Sequence, residues 1–526
     1  MMTELKEQIE KGNNLVRTEN GAIGHATTGK NLVDLNFRVP SMRGGLTAKD
    51  VEQFRSALRE NLEYAVKWLF FVRDIRGGLG ERDTFVRFYQ TLAEENIEVA
   101  VALLPLIAEY GRWKDLVDVA FGGKDRIQKE AFKVIEKQLK EDVLNHTNGK
   151  PISLLAKWMP SINASSSSRV KAIYIINHLG MNMASYRKML SKLRKHLDVT
   201  EVKTCGNKWG EIDYNKVSSN ANLRYSGAFL KHDETRRREY LNELMKPNSS
   251  AKMNASDLYP HEIWHKYTDA ARRNYWSYRS PVEEDLALEG MWKNLKDLGS
   301  CGNTMCVCDG SGSMCTAIPN TSASAIDVSR SLSVYFAERC TGEFKDQFIE
   351  FSSNPQFIDL RGFNTLAEKI NHVQKFDDCS NTDIEKVFRI ILHTAVKNNM
   401  TQEDMPERIL IISDMEFDHA TTQGSGHWDW NSQKCTYGFS TLFDSIRKDY
   451  ESAGYKLPRL VFWNVNSRTN TIPVTENEAG VALISGFSVN LLKMVVSGET
   501  DPWFILKETL DSERYKVIGE TLNSIK

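Results

Sequence analysis

The sequence predicts a multidomain protein, an all-α helical array followed by an α/β doubly wound domain. To about residue 290, apolar residues recur at helical spacing between short turns. From about residue 294, short apolar runs alternate with amphipathic stretches, as strands joined by crossover helices do in a parallel sheet. Length agrees, because 526 residues exceed one ordinary core. The expected domains are residues 1–290 and 295–526.

In the first domain, segments 51–71, 84–93, 99–109, 125–143, 169–178 and 185–196 carry apolar residues three or four apart. Turn signals separate them: Arg76-Gly77-Gly78, Gly111, Gly122-Gly123 and Asn148-Gly149-Lys150-Pro151. Helix pairs joined by such turns stack into an array of the HEAT type, although no strict sequence period is present.

In the second domain, a strand at 303–308 precedes a helix at 323–340 and a hairpin-like pair at 346–351 and 356–360. A helix at 382–397, a strand at 408–413, a helix at 440–451 and a strand at 459–465 follow, with helix beyond. Open parallel sheets bind ligands outside the carboxyl ends of their strands. Asp309 and Asp414 both stand at such ends. The polar stretch 421–439, with Gly424, Gly426, His427, Trp428 and Trp430, is expected to overhang them.

Asp309-Gly310-Ser311-Gly312-Ser313 directly follows the apolar run Met305-Cys306-Val307-Cys308. On a turn leaving a buried strand, it gathers one carboxylate and two hydroxyls around one point. Such hard oxygen donors suit Mg2+, or another divalent cation such as Mn2+ or Ca2+, rather than zinc. Thr382, in Ser380-Asn381-Thr382-Asp383, and Asp414, at the end of Ile411-Ile412-Ser413, add two more. Asp309, Ser311, Ser313, Thr382 and Asp414 match, residue by residue, the metal-ion-dependent adhesion site of von Willebrand factor A domains. The second half of the chain resembles that family. The resemblance implies direct ligation by the serines, ligation direct or through water by the other three, and one position open to a partner's carboxylate. A helix cap would account for Asp309 and Ser311 but not for Thr382 and Asp414. Hydrolysis would need a positioned base as well. Glu416 and His419 read as surface loop residues, so no enzyme is expected.

Composition narrows the partners. Charged residues make up 26% of the chain and the net charge is −1, so any surface for nucleic acid must be a local patch. Residues 1–7 hold no apolar signal core and no run of 18 apolar residues occurs, so a cytoplasmic monomer without a membrane partner is expected. Of eight cysteines, Cys301, Cys306, Cys308 and Cys315 cluster. They read as free thiols, because no histidine or second cysteine pair is spaced to complete a zinc site.

The helical half holds long strings of its own. They are Glu19-Asn20-Gly21-Ala22, Arg73-Asp74-Ile75-Arg76-Gly77-Gly78-Leu79-Gly80-Glu81-Arg82-Asp83 and Tyr110-Gly111-Arg112-Trp113-Lys114-Asp115-Leu116. Tyr186-Arg187-Lys188-Met189-Leu190, Trp209-Gly210-Glu211-Ile212-Asp213-Tyr214 and Pro260-His261-Glu262 follow. Over nearly the whole chain these resemble a family of cellular and viral proteins catalogued as a domain of unknown function, of the DUF2828 type. The architecture is similar to the Ro family, where a ring of HEAT-like helices, the TROVE module, is closed by an A domain. That similarity implies a ring or arc and a Ro-like RNA-binding protein, taking small non-coding or single-stranded RNA. The residues that would serve are Arg112, Lys114, Arg187, Lys188, Lys192, Arg194, Lys195, Lys208, Arg224, Lys231 and His232, beside Tyr186, Trp209 and Tyr225. Cations neutralise phosphates, and rings stack on unpaired bases. The same charges also read as solvated surface, since Arg187, Lys188, Lys192 and Lys195 fall on more than one helical face. Arg73, Arg76 and Arg82 beside acids, and Arg112 with Asp115, also read as structural ion pairs.

Two further strings carry less. Residues 24–30 have phosphate-loop spacing, but Asn31 replaces the Ser or Thr and no apolar strand precedes, so a turn is expected. His261-Glu262-Ile263-Trp264-His265 has the spacing of a zinc protease. Pro260 opens that helix, Trp264 and Tyr267 form a core-facing stripe, and no third ligand is near. The expectation is a binding protein with RNA on the helical domain and a protein partner at the metal. A scaffold capturing an acidic residue without RNA is the alternative, and a zinc metalloprotease the minor one.

Overall fold

The computed structural model describes residues 14–274, 281–351, 354–376, 383–417, 428–429, 434–435, 442–474 and 479–525. They form two compact units that interleave along the chain. One gathers residues 14–47, 259–285 and 296–509, the other 48–258, 286–295 and 510–525. The units therefore do not divide at residue 290.

The first unit is built on a six-stranded sheet. A small antiparallel hairpin, β1 (Leu15–Arg17) and β2 (Ile23–His25), precedes it. The sheet strands are β3 (Thr304–Asp309), β4 (Gln347–Phe351), β5 (Gln356–Asp359), β6 (Arg408–Ser413), β7 (Arg459–Asn464) and β8 (Val481–Ser485). Their spatial order is β8-β7-β6-β3-β4-β5. All neighbours are parallel except β5, which runs antiparallel to β4 at one edge. Every residue of β3, β4, β7 and β8 is buried, as expected of a sheet covered on both faces. The helix Ala325–Ala337 is buried along its whole length. The helices expected beyond 459–465 are present as Leu492–Val496 and Pro502–Leu510, but β8 precedes them as an additional strand, because the short apolar run 481–484 between Gly480 and Gly486 suits helix and strand alike.

The chain leaves β3 for β4 on one side and returns to β6 on the other. The order thus reverses between β3 and β6, and the crevice at their carboxyl ends is the switch point where such sheets take ligands.

The N-terminal segment packs with this sheet. His25 exchanges two backbone hydrogen bonds with Ile472, at 2.7 and 2.8 Å. Gly24 makes that approach feasible, since a Cβ there would sit 2.6 Å from Thr471 Cγ2 and 2.7 Å from Ile472 O. The helix Asn31–Arg38 buries Leu32, Val33, Leu35 and Phe37, and Asn464 Nδ2 donates to Phe37 O at 2.7 Å.

In the second unit, the helices Ala48–Glu60, Leu62–Arg73 and Arg82–Glu95 pack on one another in turn. Phe54, Trp68 and Phe88 form their shared core, with ring centroids 4.8–5.8 Å apart. Full burial of each such ring contributes about 1.5–3 kcal/mol. The single helix expected at 51–71 is two, because Asn61 adopts an extended conformation and its side chain caps Tyr64 N at 3.1 Å. The segment 99–109 is interrupted by the turn Leu104–Leu106, which contains Pro105.

The strings around Arg73 and Tyr110 explain themselves as structure. Arg73 donates to Asp115 Oδ2 at 2.6 and 2.7 Å, with both side chains buried. Asp74 accepts from Arg514 Nε, from Arg514 Nη2 at 2.6 Å and from Tyr515 Oη at 3.0 Å. Tyr515 stacks on Tyr110 at 5.6 Å. The last described helix, Lys516–Asn523, is thereby part of the helical unit rather than of the sheet unit.

A candidate metal centre at the switch point

β3 delivers Asp309 to the crevice and β6 delivers Asp414. Both side chains are buried, Asp309 completely. Asp309 Oδ1 accepts from Ser311 N at 2.9 Å, and Oδ2 accepts from Ser413 Oγ at 2.5 Å. The Ser311 and Ser313 hydroxyls lie 3.1 Å apart, and Ser313 hydrogen-bonds the Asp414 carboxylate. Asp309, Ser311, Ser313 and Asp414 are thus brought together. Thr382 and His419, and all of 421–439 but four residues, lie outside the described residues.

The turn is held from below. Ser329 donates to Ile412 O at 3.1 Å and to Asp309 O at 3.4 Å, which ties the ends of β3 and β6 to one helix. A Cβ on Gly310 would lie 2.7 Å from Glu350 Oε1. Glu350 is itself clamped by Arg330 through bonds of 2.7 and 3.1 Å, so it has little freedom to yield.

The charges of this crevice are poorly compensated. Burial raises the carboxyl of Asp309 above the usual range and the Asp414 charge raises it further, while hydrogen bonds from Ser413 and Ser311 pull the other way. Burial raises Asp414 too, opposed first by Ser313. Among the described residues, no basic side chain pairs with Asp309. Arg468 stands 3.6 Å from Asp414 Oδ2.

Such an arrangement could hold a small divalent cation. Adjacent ligands around octahedral Mg2+ at about 2.1 Å are about 3 Å apart, close to the serine separation. All four donors are carboxylate or hydroxyl oxygen. The described residues contain no group of three His, Cys, Asp or Glu fit for a metal, so such a site depends on the serine hydroxyls. Cys308 is no donor, since its thiol lies 3.0 Å from Ser329 Oγ inside the sheet.

Glu416 is not the surface loop residue expected. It is fully buried, and its carboxylate accepts from Arg468 N and Thr469 N at 2.8 Å, Thr469 Oγ1 at 2.9 Å and Glu19 N at 2.9 Å. Met415, in left-handed conformation at φ 65°, turns the chain between Asp414 and Glu416. Asn20 Nδ2 donates to Glu416 O at 2.7 Å, so the Glu19-Asn20-Gly21-Ala22 string belongs to the crevice rather than to the helical unit. Spacing gave one hint: Glu416 lies two residues beyond Asp414. Nothing local pointed to Arg468.

The chain is similar to proteins whose names carry no activity. The family described as Domain of unknown function (DUF2828) matches residues 177–303. The family described as Domain of unknown function (DUF7788) matches residues 303–514. The DUF2828 match is therefore shorter than the near-complete coverage expected. A relative from Acanthamoeba polyphaga mimivirus, "Uncharacterized protein L728", is 27% identical over 541 residues, covering 95% of this chain and 87% of its own length. Among the described residues, no helix is long and apolar enough to cross a membrane.

The histidines of the zinc-like string have other surroundings. His261 packs between Tyr259 and Phe487, and burial pushes its imidazole down to about 3. His265 Nδ1 lies 3.2 Å from Asp327 Oδ2, and Glu262 accepts from Tyr259 N at 2.8 Å.

The basic residues of the helical unit differ in what engages them. Lys114 pairs with Asp118 at 2.6 Å and Lys208 with Glu211 at 2.8 Å. Arg194 donates to Ala156 O, Ser161 Oγ and Met159 O at 2.7–2.8 Å. Arg112 lies over the Trp158 ring, and His232 stacks on Trp209 at 4.5 Å. Arg224 and Lys231 are exposed. Arg187, Lys188, Lys192 and Lys195 are exposed on the helix Met183–Leu197 and have no acidic partner among the described residues. Lys188, Lys192 and Lys195, at i, i+4 and i+7, share one face, opposite the buried Tyr186, Leu190 and Leu193. Arg187 and Lys195 also line a groove of about 860 Å3.

Proposed function

We propose that the sheet unit is an A-type domain that binds a divalent cation, Mg2+ in the first place, and through it the carboxylate of a protein partner. The observation that carries this reading is the pair of serine hydroxyls 3.1 Å apart between two buried carboxylates at the switch point. Strand order, the antiparallel edge strand and the resemblance of the motifs support it. Asp309, Ser311, Ser313 and Asp414 would hold the ion, with Thr382 as the further ligand that the resemblance implies. Bound there, the ion supplies a positive charge and an open coordination position. The role is binding rather than catalysis: Glu416, the acid nearest Asp414 in sequence, has both carboxylate oxygens engaged by hydrogen bonds. Calorimetric titration with MgCl2 or MnCl2 tests the reading. One ion per chain is expected, lost in Asp309→Asn; absence of binding to the unmodified chain at millimolar metal would overturn it.

A second reading concerns the helical unit, read as a HEAT-like array that binds single-stranded or small structured RNA. The face of Lys188, Lys192 and Lys195 favours it, because cations without acidic partners are free to neutralise phosphates. Fluorescence anisotropy with labelled single-stranded RNA tests it. Binding should weaken with salt, and replacing the three lysines by alanine should flatten that dependence by up to about two in log–log slope. An unchanged affinity and slope would refute this use of the face.

A further inference from the structure

Arg468 is placed with unusual care for a residue on a loop. The loop after β7 is pinned at its base, where Ser467 N donates to Asn464 Oδ1 at 2.8 Å. Glu416 then receives the backbone N–H groups of both Arg468 and Thr469. The backbone of Arg468 is thus bound to the same segment that carries Asp414. Its guanidinium reaches back over the crevice. One terminal nitrogen, Nη2, lies 3.6 Å from Asp414 Oδ2 and 2.9 Å from Glu19 Oε2. The same nitrogen therefore serves a crevice carboxylate and a carboxylate of the N-terminal segment. Glu19 is itself anchored, since its backbone N donates to Glu416 Oε2 at 2.9 Å.

We propose that Arg468 is the internal counter-cation of Asp414, and that a divalent ion and this guanidinium compete for that carboxylate. The inference rests on the metal reading above. Two positive charges cannot share Asp414 without mutual repulsion, which at a few Å in a partly solvated crevice is large enough to change affinity. Arg468 is 40% exposed, so it is free to swing, and Glu19 offers it a second partner at shorter distance. Ion binding then moves Arg468 wholly to Glu19, and ion release returns it to Asp414. The N-terminal segment thereby takes part in setting ion affinity. By linkage, whatever draws Glu19 away weakens ion binding, and ion binding strengthens the Arg468–Glu19 pair by the same factor.

The test is Mn2+ titration of the full chain, followed by calorimetry and by the loss of the free-ion paramagnetic resonance signal. Arg468→Gln should bind Mn2+ about tenfold more tightly than the unmodified chain, and Arg468→Lys should fall between. Glu19→Gln should bind about threefold more weakly, since the displaced guanidinium loses its second partner. These opposite signs separate competition from general damage to the fold, which would weaken both. Equal affinity of the unmodified chain and Arg468→Gln, or weaker binding by the latter, overturns the inference and leaves the metal reading standing. Failure of every form to bind Mn2+ overturns both.

Discussion

In the helical unit Asp115 is buried against Arg73, and Asp74 against Arg514, each with a guanidinium in direct contact. In the sheet unit Asp309 is equally buried but is met by a hydroxyl and an amide, with no cation paired to it among the described residues. The first arrangement is closed in charge: each carboxylate meets a guanidinium. The second is incomplete, because two carboxylates repel each other in a crevice that water cannot fully solvate. Burial alone therefore does not mark a site. What distinguishes the crevice is a buried carboxylate, Asp309, with no cation paired to it among the described residues, at the end of a sheet where ligands enter.

The contrast can be broken most forcefully in the helical unit. Asp115→Ala leaves Arg73 buried without its partner and should lower stability by about 3–5 kcal/mol, read from chemical denaturation of the full chain. A loss below 1 kcal/mol would show that the pair is not closed in the sense argued. In the sheet unit the corresponding gain comes from outside. Mg2+ at 100 times its dissociation constant should stabilise the unmodified chain by about 2.7 kcal/mol and leave Asp309→Asn unchanged, as thermal unfolding with and without EDTA would reveal.

His261 is a third case, a buried ionisable group that is stable only when neutral. Its folded value is depressed to about 3, so the unfolded chain binds the extra proton first as pH falls. Stability is therefore retained above the ordinary histidine value and declines as pH drops below it. One unit below that value the loss is about 1.4 kcal/mol. In His261→Phe this component of the pH dependence should disappear from unfolding curves taken between about pH 7.5 and 5. The smallest effect belongs to the exposed lysines. Replacing Lys188, Lys192 and Lys195 by alanine should change stability by no more than about 0.5 kcal/mol per site, even where RNA affinity falls.

The candidate site was legible where its chemistry is local. Asp309, Ser311 and Ser313 lie on one turn, and the strand-end position of Asp414 follows from the apolar run before it. Strand–helix alternation also gave the sheet, apart from β8, whose short apolar run suits helix and strand alike. The basic residues were legible only as a set. Position on the helix decided that Lys188, Lys192 and Lys195 face solvent together, while Arg194 is engaged in bonds to backbone and Ser161.

By itself the sequence determined the oxygen-donor turn, the alternating second half and the helical first half, because each depends on residues a few positions apart. Only the tertiary structure decided the rest. It drew residues 14–47 onto the sheet and 510–525 onto the helices, and buried Glu416 among donors from two distant segments. It also set Arg468 between Asp414 and Glu19. The Glu416–Glu19 bond spans 397 residues and the Glu416–Arg468 bond spans 52. Contacts over such separations form when the closed chain buries enough surface to offset its lost freedom, and no periodicity in a local window records which segments will meet.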